Sequence, residues 1–302
     1  MSSVSFVIPV YNKERYLKFV INSLKNQTGN YSQEFIFIND GSTDNSLELI
    51  KSETKKWKNC KIINQKNMGS AGATNVGIKL AKNKYIKFLD ADDLLMFSAT
   101  SSLVQILEKN DDCILAYGLQ RKVEDLSTVD LKQSLDTKKT TKIYNPIKLA
   151  MKNSMFNPSQ FLVKTSFCKK VEGCDERVKH SQEYSLTLRL SLLGNFIKLN
   201  QYTAVLPFSA PGQISEKKVN QLHRVSRALE YFINDNKNIE FKYKKFAQRR
   251  LTGRAWRFAK RHYKASYFSS WFMLYLRGLF GLSKDIKKTC SKANSVYNDL
   301  LD

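Results

Sequence analysis

The 302-residue chain has few of the features that mark secreted or membrane-spanning proteins. Its five cysteines are an odd number and form no CxxC pair, which fits a reducing compartment better than a disulfide framework. No uninterrupted apolar run reaches the roughly 18 residues that a spanning helix requires. The opening MSSVSFVIPV has no basic segment before a long apolar stretch. We therefore expect a cytoplasmic protein without a signal peptide or a transmembrane helix.

Two phosphate-binding signatures, the GxGxxG turn and the Walker loop, are also missing from the sequence. The composition is nevertheless that of a folded protein, because hydrophobic residues make up 42% of the chain and aromatic residues 12%. Its length allows one large domain, or a domain with an appendage. If the protein binds a nucleotide, a different device must hold the phosphates.

Acidic residues are scarce, and their shortage is concentrated near the C-terminus. The chain has 50 Lys and Arg against 27 Asp and Glu, a formal net charge of +23. Between positions 241 and 290, fourteen basic residues stand against one acidic residue, so this segment alone carries +13. Such an excess favours an anionic partner, which could be a nucleic acid, an acidic membrane surface or a phosphorylated substrate.

The first 120 residues alternate between short apolar runs and segments with apolar residues at helical spacing. This alternation predicts parallel strands joined by right-handed helical crossovers. Ligands of such sheets bind beyond the carboxyl ends of the strands. The unusual polar residues fall at those ends, in the segments 9–12, 39–42, 64–69 and 90–93. After a break that begins at about position 209, the rest of the chain is predicted to be helical.

Three carboxylates, Asp90, Asp92 and Asp93, lie within four residues at the end of a predicted strand. One of them could cap a helix predicted to begin near Leu94, but three are too many for a cap. Clustered carboxylates favour a hard divalent ion, Mg²⁺ or Mn²⁺, that completes its shell from water and substrate phosphates. Such an ion bridging a diphosphate would also explain the missing phosphate-binding loops.

Asp40 ends a second apolar strand and is followed by Gly41 and Ser42. In one interpretation, Ser42 or Asp44 caps the next helix and Asp40 only interacts with its dipole. In the other, the Asp40 carboxylate accepts an N–H from the edge of a nucleobase. The spacing alone leaves both interpretations open.

Four segments resemble a known family: SFVIPVYNKERYLKFVINSLKNQT, EFIFINDGSTDNS, NMGSAGATNVGI and YIKFLDADDLL. In this order they closely resemble the family 2 inverting glycosyltransferases of GT-A fold, over roughly residues 3–205. The resemblance implies an α/β fold with a Rossmann-like, mostly parallel sheet flanked by helices, and a helical C-terminal extension. It implies a catalytic domain at 1–208, with a nucleotide-sugar half at about 1–120 and an acceptor half at 121–208, before a basic, aromatic region at 209–302.

The resemblance also implies a site for the sugar nucleotide. Pro9 and Tyr11 correspond to residues that line the nucleobase pocket, Asp40 to the residue that reads the base, and Asn67 to one near the ribose and phosphates. UDP-sugar is the expected donor, because it is frequent in the family and because a carboxylate suits a uracil N–H.

The acidic cluster corresponds to the family's metal-binding DxD motif. Asp92 is the expected direct ligand of Mn²⁺ or Mg²⁺, with Asp90 and Asp93 beside it in the nucleotide-sugar site. The ion would neutralise the departing diphosphate.

The catalytic base of the family usually belongs to an ED pair that opens a helix. This chain has QEYSLTLRL, which places Gln182 and Glu183 at those positions and makes Glu183 the expected base. The alternative is that Glu183 is only an exposed residue at a helix start. A second departure is Thr74, where many relatives have an Arg that contacts the diphosphate.

We therefore expect a metal-dependent enzyme that moves a sugar from a UDP-sugar to a saccharide acceptor, which could be lipid-linked, in cell-surface polysaccharide or glycoconjugate synthesis. The alternative is a non-catalytic GT-A-like module that binds nucleotide sugars or scaffolds a membrane complex. Its support is the absence of the usual acid at Gln182 and of the usual Arg at Thr74.

The basic C-terminal segment has the pattern of a helix that lies in a membrane interface. Its predicted basic stripe consists of Arg250, Arg254, Arg257, Arg261 and Lys264. We expect 241–282 to attach the protein to the anionic inner face of the cell membrane, with Trp271, Phe272 and Leu274 inserted. Packing against the catalytic domain and a homodimer contact are the alternatives, while the catalytic motifs argue against nucleic acid as the partner.

Overall fold

The computed structural model describes residues 2–132, 139–178, 180, 182–208, 218–283 and 285–299. Within these residues, nine strands and eleven α-helices form two compact units. One unit comprises Met1–Pro146 and Ser154–Gln213, and the other Ile147–Asn153 and Ile214–Asp302. The short segment Ile147–Asn153 thus clusters with the C-terminal helices. The predicted break after Phe208 lies outside the described residues.

The first half of the sheet is parallel, as the sequence predicts. Its strands are β1 (Ser3–Val10), β2 (Ser32–Asp40), β3 (Cys60–Gln65) and β4 (Tyr85–Phe88), and its helices are α1 (Glu14–Lys25), α2 (Ser46–Thr54) and α3 (Gly69–Leu80). Strand β1 pairs with β2 and β4, and β2 pairs with β3, all in parallel. The carboxyl ends of these strands therefore meet at one edge.

The second half of the sheet is mixed. Its strands are β5 (Leu94–Leu95), β6 (Cys113–Val123), β7 (Thr140–Ile143), β8 (Phe161–Lys164) and β9 (Asn195–Pro207), and its helices are α4 (Ala99–Glu108), α6 (Thr165–Lys170) and α7 (Gln182–Leu190). The strand order is β3-β2-β1-β4-β8-β6-β9-β5, with β7 also paired to β9. Strand β8 runs antiparallel to both of its neighbours.

Both faces of the central strands are buried, which explains their nearly continuous apolar sequence. Successive residues of a strand point to opposite faces. In β1, Phe6 therefore joins the cluster that contains Leu17 of α1, whereas Val7 joins the cluster that contains Ala73 of α3. A Cβ on Gly77 would lie 2.2 Å from Cγ1 of Val7, so α3 approaches β1 closely only because Gly77 has no side chain.

The segment after the acidic cluster is a correction to the sequence analysis. Leu94 and Leu95 form strand β5, which pairs with Val205 and Ala204 of β9, and the next helix begins only at Ala99. A short apolar run does not by itself distinguish a strand from a helix. The three aspartates therefore cap no helix near Leu94 but lie in a connection between two strands.

The second unit is helical throughout its described residues. It contains α5 (Ile147–Lys152), α8 (Lys218–Asp235), α9 (Phe241–His262), α10 (Ser270–Phe280) and α11 (Ile286–Asn294). Helix α9 contacts each of the others. No helix among the described residues combines the length and the apolar character needed to cross a membrane.

The predicted basic stripe of α9 is interrupted, because Arg254 is buried. Its Nη1 donates to the carbonyl of Val225 and to Oγ of Ser226, at 3.4 and 3.3 Å. Helix α8 thus covers the surface that helical spacing alone assigns to solvent. Leu274, predicted to enter the membrane, is also buried within the unit.

Candidate active site

Two loops at the carboxyl ends of β1 and β2 are joined by hydrogen bonds. The backbone N of Asn12 donates to Oγ of Ser42 at 3.1 Å, and Oδ1 of Asn12 accepts from the backbone N of Thr43 at 2.8 Å. Two residues after Asn12, the backbone N of Glu14 donates to Oδ2 of Asp44 at 3.0 Å. Asn12 has a left-handed φ of 51°, a conformation that asparagine tolerates better than most residues. The two loops therefore form one connected edge.

Asp40 lies buried at the end of β2. Its Oδ1 accepts from Nε2 of Gln65 at 2.9 Å and from the backbone N of Met68 at 2.8 Å. Since Met68 immediately precedes α3, Asp40 fixes the start of α3, not that of α2. Within the described chain Oδ2 of Asp40 accepts no hydrogen bond, so this oxygen remains for a ligand.

Asn67, Pro9 and Tyr11 surround the same edge. Oδ1 of Asn67 accepts from the backbone N of Gly69 at 3.2 Å, at the first residue of α3. The turn after Asp40 approaches it closely, because a Cβ on Gly41 would lie 2.8 Å from the backbone N of Asn67, and the φ of Gly41 is +74°. Pro9 is half-buried, whereas the Tyr11 ring is 47% exposed. An exposed ring at this edge is free to stack on a base.

The carboxylate of Asp92 has a cationic partner in the chain itself. Nζ of Lys13, from the loop after β1, lies 2.6 Å from Oδ2 of Asp92. Only 16% of the lysine side chain and 13% of the aspartate side chain are exposed. This ion pair joins the first loop of the domain to the acidic connection, and it supplies part of the positive charge that three neighbouring carboxylates require.

Ser159 holds the other two aspartates in place. Its fully buried Oγ donates to Oδ2 of Asp93 at 2.6 Å and accepts from the backbone N of Asp90 at 3.0 Å. Its carbonyl accepts from Nζ of Lys87 at 2.6 Å. Lys87 is itself fully buried in β4, and desolvation lowers its pKa to about 7.

Burial and neighbouring carboxylates disfavour the ionised forms of Asp90 and Asp93. Desolvation raises the pKa of Asp90, and the neighbouring charges of Asp92 and Glu183 raise it further. The pKa of Asp93 is raised by desolvation and then by Asp92 and Asp90. Both carboxyls therefore resist ionisation, and a proton or a cation is needed to offset their mutual repulsion.

Asp92 remains the predicted protein ligand of a divalent ion. Among the described residues, no group of three or more His, Cys, Asp or Glu side chains is arranged to hold a metal. Mg²⁺ and similar ions, however, are commonly bound by one or two carboxylates together with water and substrate phosphates. The fit requires Nζ of Lys13 to leave Oδ2 of Asp92.

Glu183 shares a small cavity with the acidic cluster. The cavity, of about 10 Å³, is lined in part by Pro9, Thr74, Asp90 and Glu183, so the ends of β1 and β4 meet the middle of α3 and the start of α7 there. Glu183 is half-buried by accessible surface, but its carboxylate is enclosed closely enough that desolvation raises its pKa. A base with a raised pKa is better matched to accepting a proton near neutral pH.

A larger cleft is linked to Glu183 through Ser154. Ser154 donates to Oε1 of Glu183 at 3.3 Å, and the same Ser154 lines a cleft of about 350 Å³ together with Gln120, Phe156 and Tyr202. Its volume lies within the range of small-molecule sites, about 300–1,000 Å³. The Glu183 carboxylate is thus one hydrogen bond from a cleft large enough for a sugar.

The model of the family named Glycosyl transferase family 2 matches residues 5–170, more than half of the chain. The chain belongs to this glycosyltransferase family. The resemblance drawn from four sequence motifs is thereby confirmed.

Two relatives each match less than half of the chain. A protein of Rickettsia bellii, named as an uncharacterized glycosyltransferase, is 43% identical over 110 residues, which are 36% of this chain and 16% of that protein. EpsJ of Bacillus subtilis strain 168, also named as an uncharacterized glycosyltransferase, is 34% identical over 125 residues, or 41% of this chain and 36% of EpsJ. The chain therefore spans well under half the length of either relative.

Several solved structures share the fold at low sequence identity. The Staphylococcus aureus TarS 1–349 structure superimposes with a TM-score of 0.66 at 15% identity, covering 98% of this chain and 89% of TarS 1–349. The TarS complex with UDP-GlcNAc gives 0.62 at 14% identity, covering 98% and 92%. A mannosyltransferase from Pyrobaculum calidifontis, in complex with GDP-Man and Mn²⁺, gives 0.57 at 13% identity, covering 98% and 86%. The predicted GT-A fold is confirmed.

Several residues of this family 2 site escape sequence reasoning. Lys13 and Lys87 lie inside two of the four family-like segments and Ser159 lies outside them, but no local pattern links any of the three to the acidic cluster. Gln182, which replaces the usual acid, accepts from Oγ of Ser70 at 2.8 Å and so links α7 to α3. For Lys13, its position at the carboxyl end of β1 was the one available signal.

Proposed function

We propose that this family 2 enzyme transfers a sugar from a UDP-sugar to a hydroxyl of a saccharide acceptor, with inversion at the anomeric carbon. Residues 1–208 form the catalytic domain in this proposal. The acceptor oxygen forms its bond to the anomeric carbon as the bond to the diphosphate oxygen breaks, and the diphosphate leaves with the electron pair. The acceptor proton passes to the Glu183 carboxylate. Synthesis of cell-surface polysaccharide or glycoconjugate is the proposed context.

The observation that carries the proposal is the position of Glu183. Its carboxylate shares one cavity with Pro9 and Asp90 and is hydrogen-bonded to Ser154, which lines the 350 Å³ cleft. A base for this reaction must reach the acceptor hydroxyl while the donor's anomeric carbon lies on the far side of that oxygen. The cleft is accordingly the proposed acceptor site.

The donor is proposed to bind along the ends of the parallel strands. Oδ2 of Asp40 would accept the N–H of uracil, the Tyr11 ring and Pro9 would pack on the base, and Asn67 would lie near the ribose and phosphates. Support for a uridine nucleotide comes from Asp40, whose Oδ1 is already used by Gln65 and Met68 while Oδ2 is available. TarS structures with UDP and UDP-GlcNAc show such ligands in a protein of the same fold.

The acidic connection is proposed to hold Mn²⁺ or Mg²⁺ through Asp92, with Asp90 and Asp93 in the nucleotide-sugar site. When bound, the ion would neutralise charge on the departing diphosphate. The chain's own contribution is to position the connection, through Ser159, and to keep a cation, Lys13, beside Asp92 in the absence of metal. The mannosyltransferase structure with Mn²⁺ supports a metal in this fold.

A donor screen by thermal shift tests the donor and the metal together. UDP-GlcNAc and UDP-glucose should raise the Tm of the protein in Mn²⁺ more than GDP-mannose does at the same concentration, since a tighter ligand stabilises the folded state more. EDTA should remove most of that shift and most of the UDP-sugar hydrolysis. Asp92→Asn should reproduce the effect of EDTA, whereas full hydrolysis by this variant would contradict the proposed ligand.

Peripheral membrane attachment is proposed for the segment 241–282. Its support is a set of exposed apolar side chains, which differs from the set expected from sequence: Tyr267 58%, Phe268 96%, Met273 48%, Phe280 67% and Leu282 70% exposed. Aromatic and aliphatic side chains near a basic surface favour an anionic membrane interface. The bound acceptor would then be lipid-linked.

Flotation with phosphatidylglycerol vesicles tests the attachment. The double variant Phe268→Ser/Phe280→Ser should lose vesicle binding, whereas the control Phe19→Ser, at a 40% exposed position of α1, should keep it. Equal flotation of both variants would remove the support for this membrane surface and favour a soluble acceptor.

A further inference from the structure

Helix α9 and helix α10 enclose a cleft that the proposed transfer reaction does not use. The cleft, of about 420 Å³, lies wholly within the second unit. Its lining is formed by Phe246, Arg249, Arg250, Gly253, Trp256, Arg257 and Tyr275. Three guanidinium groups and three aromatic rings thus border one space, and no acidic side chain of the described chain is among the lining residues.

The three arginines converge because of their spacing around Gly253. Residues three or four positions apart on a helix are neighbours on one face. Arg249 and Arg257 lie four positions before and after Gly253, and Arg250 lies three positions before it. Nε of Arg257 donates to the carbonyl of Gly253 at 3.1 Å, so this side chain folds back toward the glycine. The open floor of the cleft lies between the arginines.

Gly253 is the residue that leaves this floor open. A glycine in a helix interior is less favourable than alanine by about 1 kcal/mol. Packing does not require it here, because an added Cβ would meet only the Tyr275 ring, at 3.7 Å, an ordinary contact distance. The absence of a side chain at Gly253 therefore leaves the floor of the cleft unfilled.

The charges that face this space are available to a ligand. Arg249 and Arg257 are exposed and form no ion pair with any described residue. Arg250 is held at the rim through its Nη2, which donates to Oδ1 of Asn153 at 2.7 Å. On the aromatic side, Nζ of Lys148 lies 5.7 Å from the centroid of the Phe246 ring. Guanidinium groups bind phosphate oxygens in pairs of parallel hydrogen bonds.

We infer that this cleft binds a phosphorylated saccharide. The phosphate lies over Gly253 between the guanidinium groups of Arg249 and Arg257, and the sugar packs a C–H face on the partly exposed ring of Tyr275. A phosphate ion alone would fill a small part of 420 Å³, and the aromatic lining matches the remaining volume to a sugar ring. This inference does not depend on the proposed transferase reaction, because it concerns only the second unit.

Calorimetric titration of the full chain with glucose 1-phosphate, inorganic phosphate and glucose tests the inference. Glucose 1-phosphate should bind more tightly than inorganic phosphate, and glucose should give no detectable binding. Arg249→Gln/Arg257→Gln should weaken glucose 1-phosphate binding at least tenfold. The control Lys245→Gln/Arg261→Gln removes the same charge from exposed positions of the same helix outside the cleft, and it should bind as the unmodified chain does.

Gly253→Ala supplies a second variant whose fold is not in doubt. It should raise the Tm, because alanine suits a helix interior, and yet weaken glucose 1-phosphate binding by filling the floor of the cleft. If Arg249→Gln/Arg257→Gln and the control Lys245→Gln/Arg261→Gln weaken glucose 1-phosphate binding equally, binding depends on overall charge and the inference is overturned. A third outcome is that the chain binds phosphatidylglycerol vesicles through Arg249 and Arg257 but does not bind glucose 1-phosphate. This result would assign the cleft to a lipid phosphate and overturn the inference of a saccharide ligand.

Discussion

The acidic connection at Asp90–Asp93 and the basic face of α9 concentrate opposite charges by different means. The aspartates are held by two groups from distant parts of the chain: Lys13, after β1, pairs with Asp92, and Ser159, itself bonded to Lys87 of β4, bonds to Asp93. The arginines of α9 are brought together by the spacing of one helix, and Arg249 and Arg257 face solvent. One charged region depends on tertiary contacts and the other on local geometry.

This difference predicts how each region responds to substitution. Groups that share partners show coupled effects when mutated, whereas well-separated groups show additive ones. A change at the acidic connection should therefore disturb several functions together. A change on the α9 face should alter only what that side chain contacts, and should leave the fold intact.

The largest effect is expected for Glu183→Gln, because this change removes the proposed base beside the acidic connection. Transfer at saturating donor should fall by about 10²- to 10⁴-fold, the range that general acid–base catalysis typically supplies. The exposed Glu53→Gln on α2 should retain full transfer. Donor-induced thermal shifts should persist in both variants. Transfer by Glu183→Gln at the unmodified rate would exclude Glu183 as the base.

A second test uses pH. The base must be ionised to accept a proton, and desolvation raises the pKa of Glu183 above the ordinary glutamate range. Transfer at saturating donor should therefore be lost as pH falls through this raised pKa, about tenfold per pH unit below it. The acidic limb should begin above the pH expected of an exposed glutamate. Residual transfer by Glu183→Gln should lack this limb, and a limb of the same position in both proteins would assign it to another group.

Ser159→Ala tests whether the acidic connection depends on its tertiary contacts. The change leaves the buried Asp93 carboxylate and the Asp90 backbone N without their partner. The free energy of unfolding should fall by about 1–3 kcal/mol. The exposed Ser52→Ala, in α2, should change it by less than about 0.5 kcal/mol. Equal chemical denaturation curves for the two variants would show that the connection holds its shape without Ser159.

The smallest expected effect concerns Lys13→Met. Because Lys13 pairs with the proposed metal ligand Asp92, its removal should tighten Mn²⁺ binding in the absence of donor, by roughly fivefold or about 1 kcal/mol. Calorimetric titration with Mn²⁺ measures the change. Lys18→Met, an exposed position on α1, serves as the control. Unchanged or weaker Mn²⁺ binding by Lys13→Met would show that the lysine does not compete with the ion.

Much of the fold could be predicted from local patterns. The alternation of apolar runs and helical periods predicted the parallel strands β1–β4. Because ligands of such sheets bind at the carboxyl ends of the strands, the polar residues after Val10, Asp40 and Phe88 could be predicted to form the candidate site. These signals are carried by neighbouring residues, so a single sequence suffices to detect them.

Contacts between distant residues could not be predicted in this way. Lys13 and Asp92 are 79 positions apart, and Ser159 and Asp93 are 66 apart, so neither pair leaves a local pattern. Arg254 shows the same limit within a helix. Helical spacing placed it on an exposed stripe, and only the packing of α8, through Val225, buries it. The roles of the site residues remain predictions for the experiments above.

The hydrogen bonds that join the loops after β1 and β2 bear on the construction of chimeric enzymes. Each loop supplies the partners of the other: Asn12 bonds to Ser42 and Thr43, and Glu14 to Asp44. If only one loop were grafted from a relative, its side chains would lack their hydrogen-bond partners in the other loop. Altering the nucleotide preference of this protein by segment exchange therefore requires transplanting both loops as a single cassette.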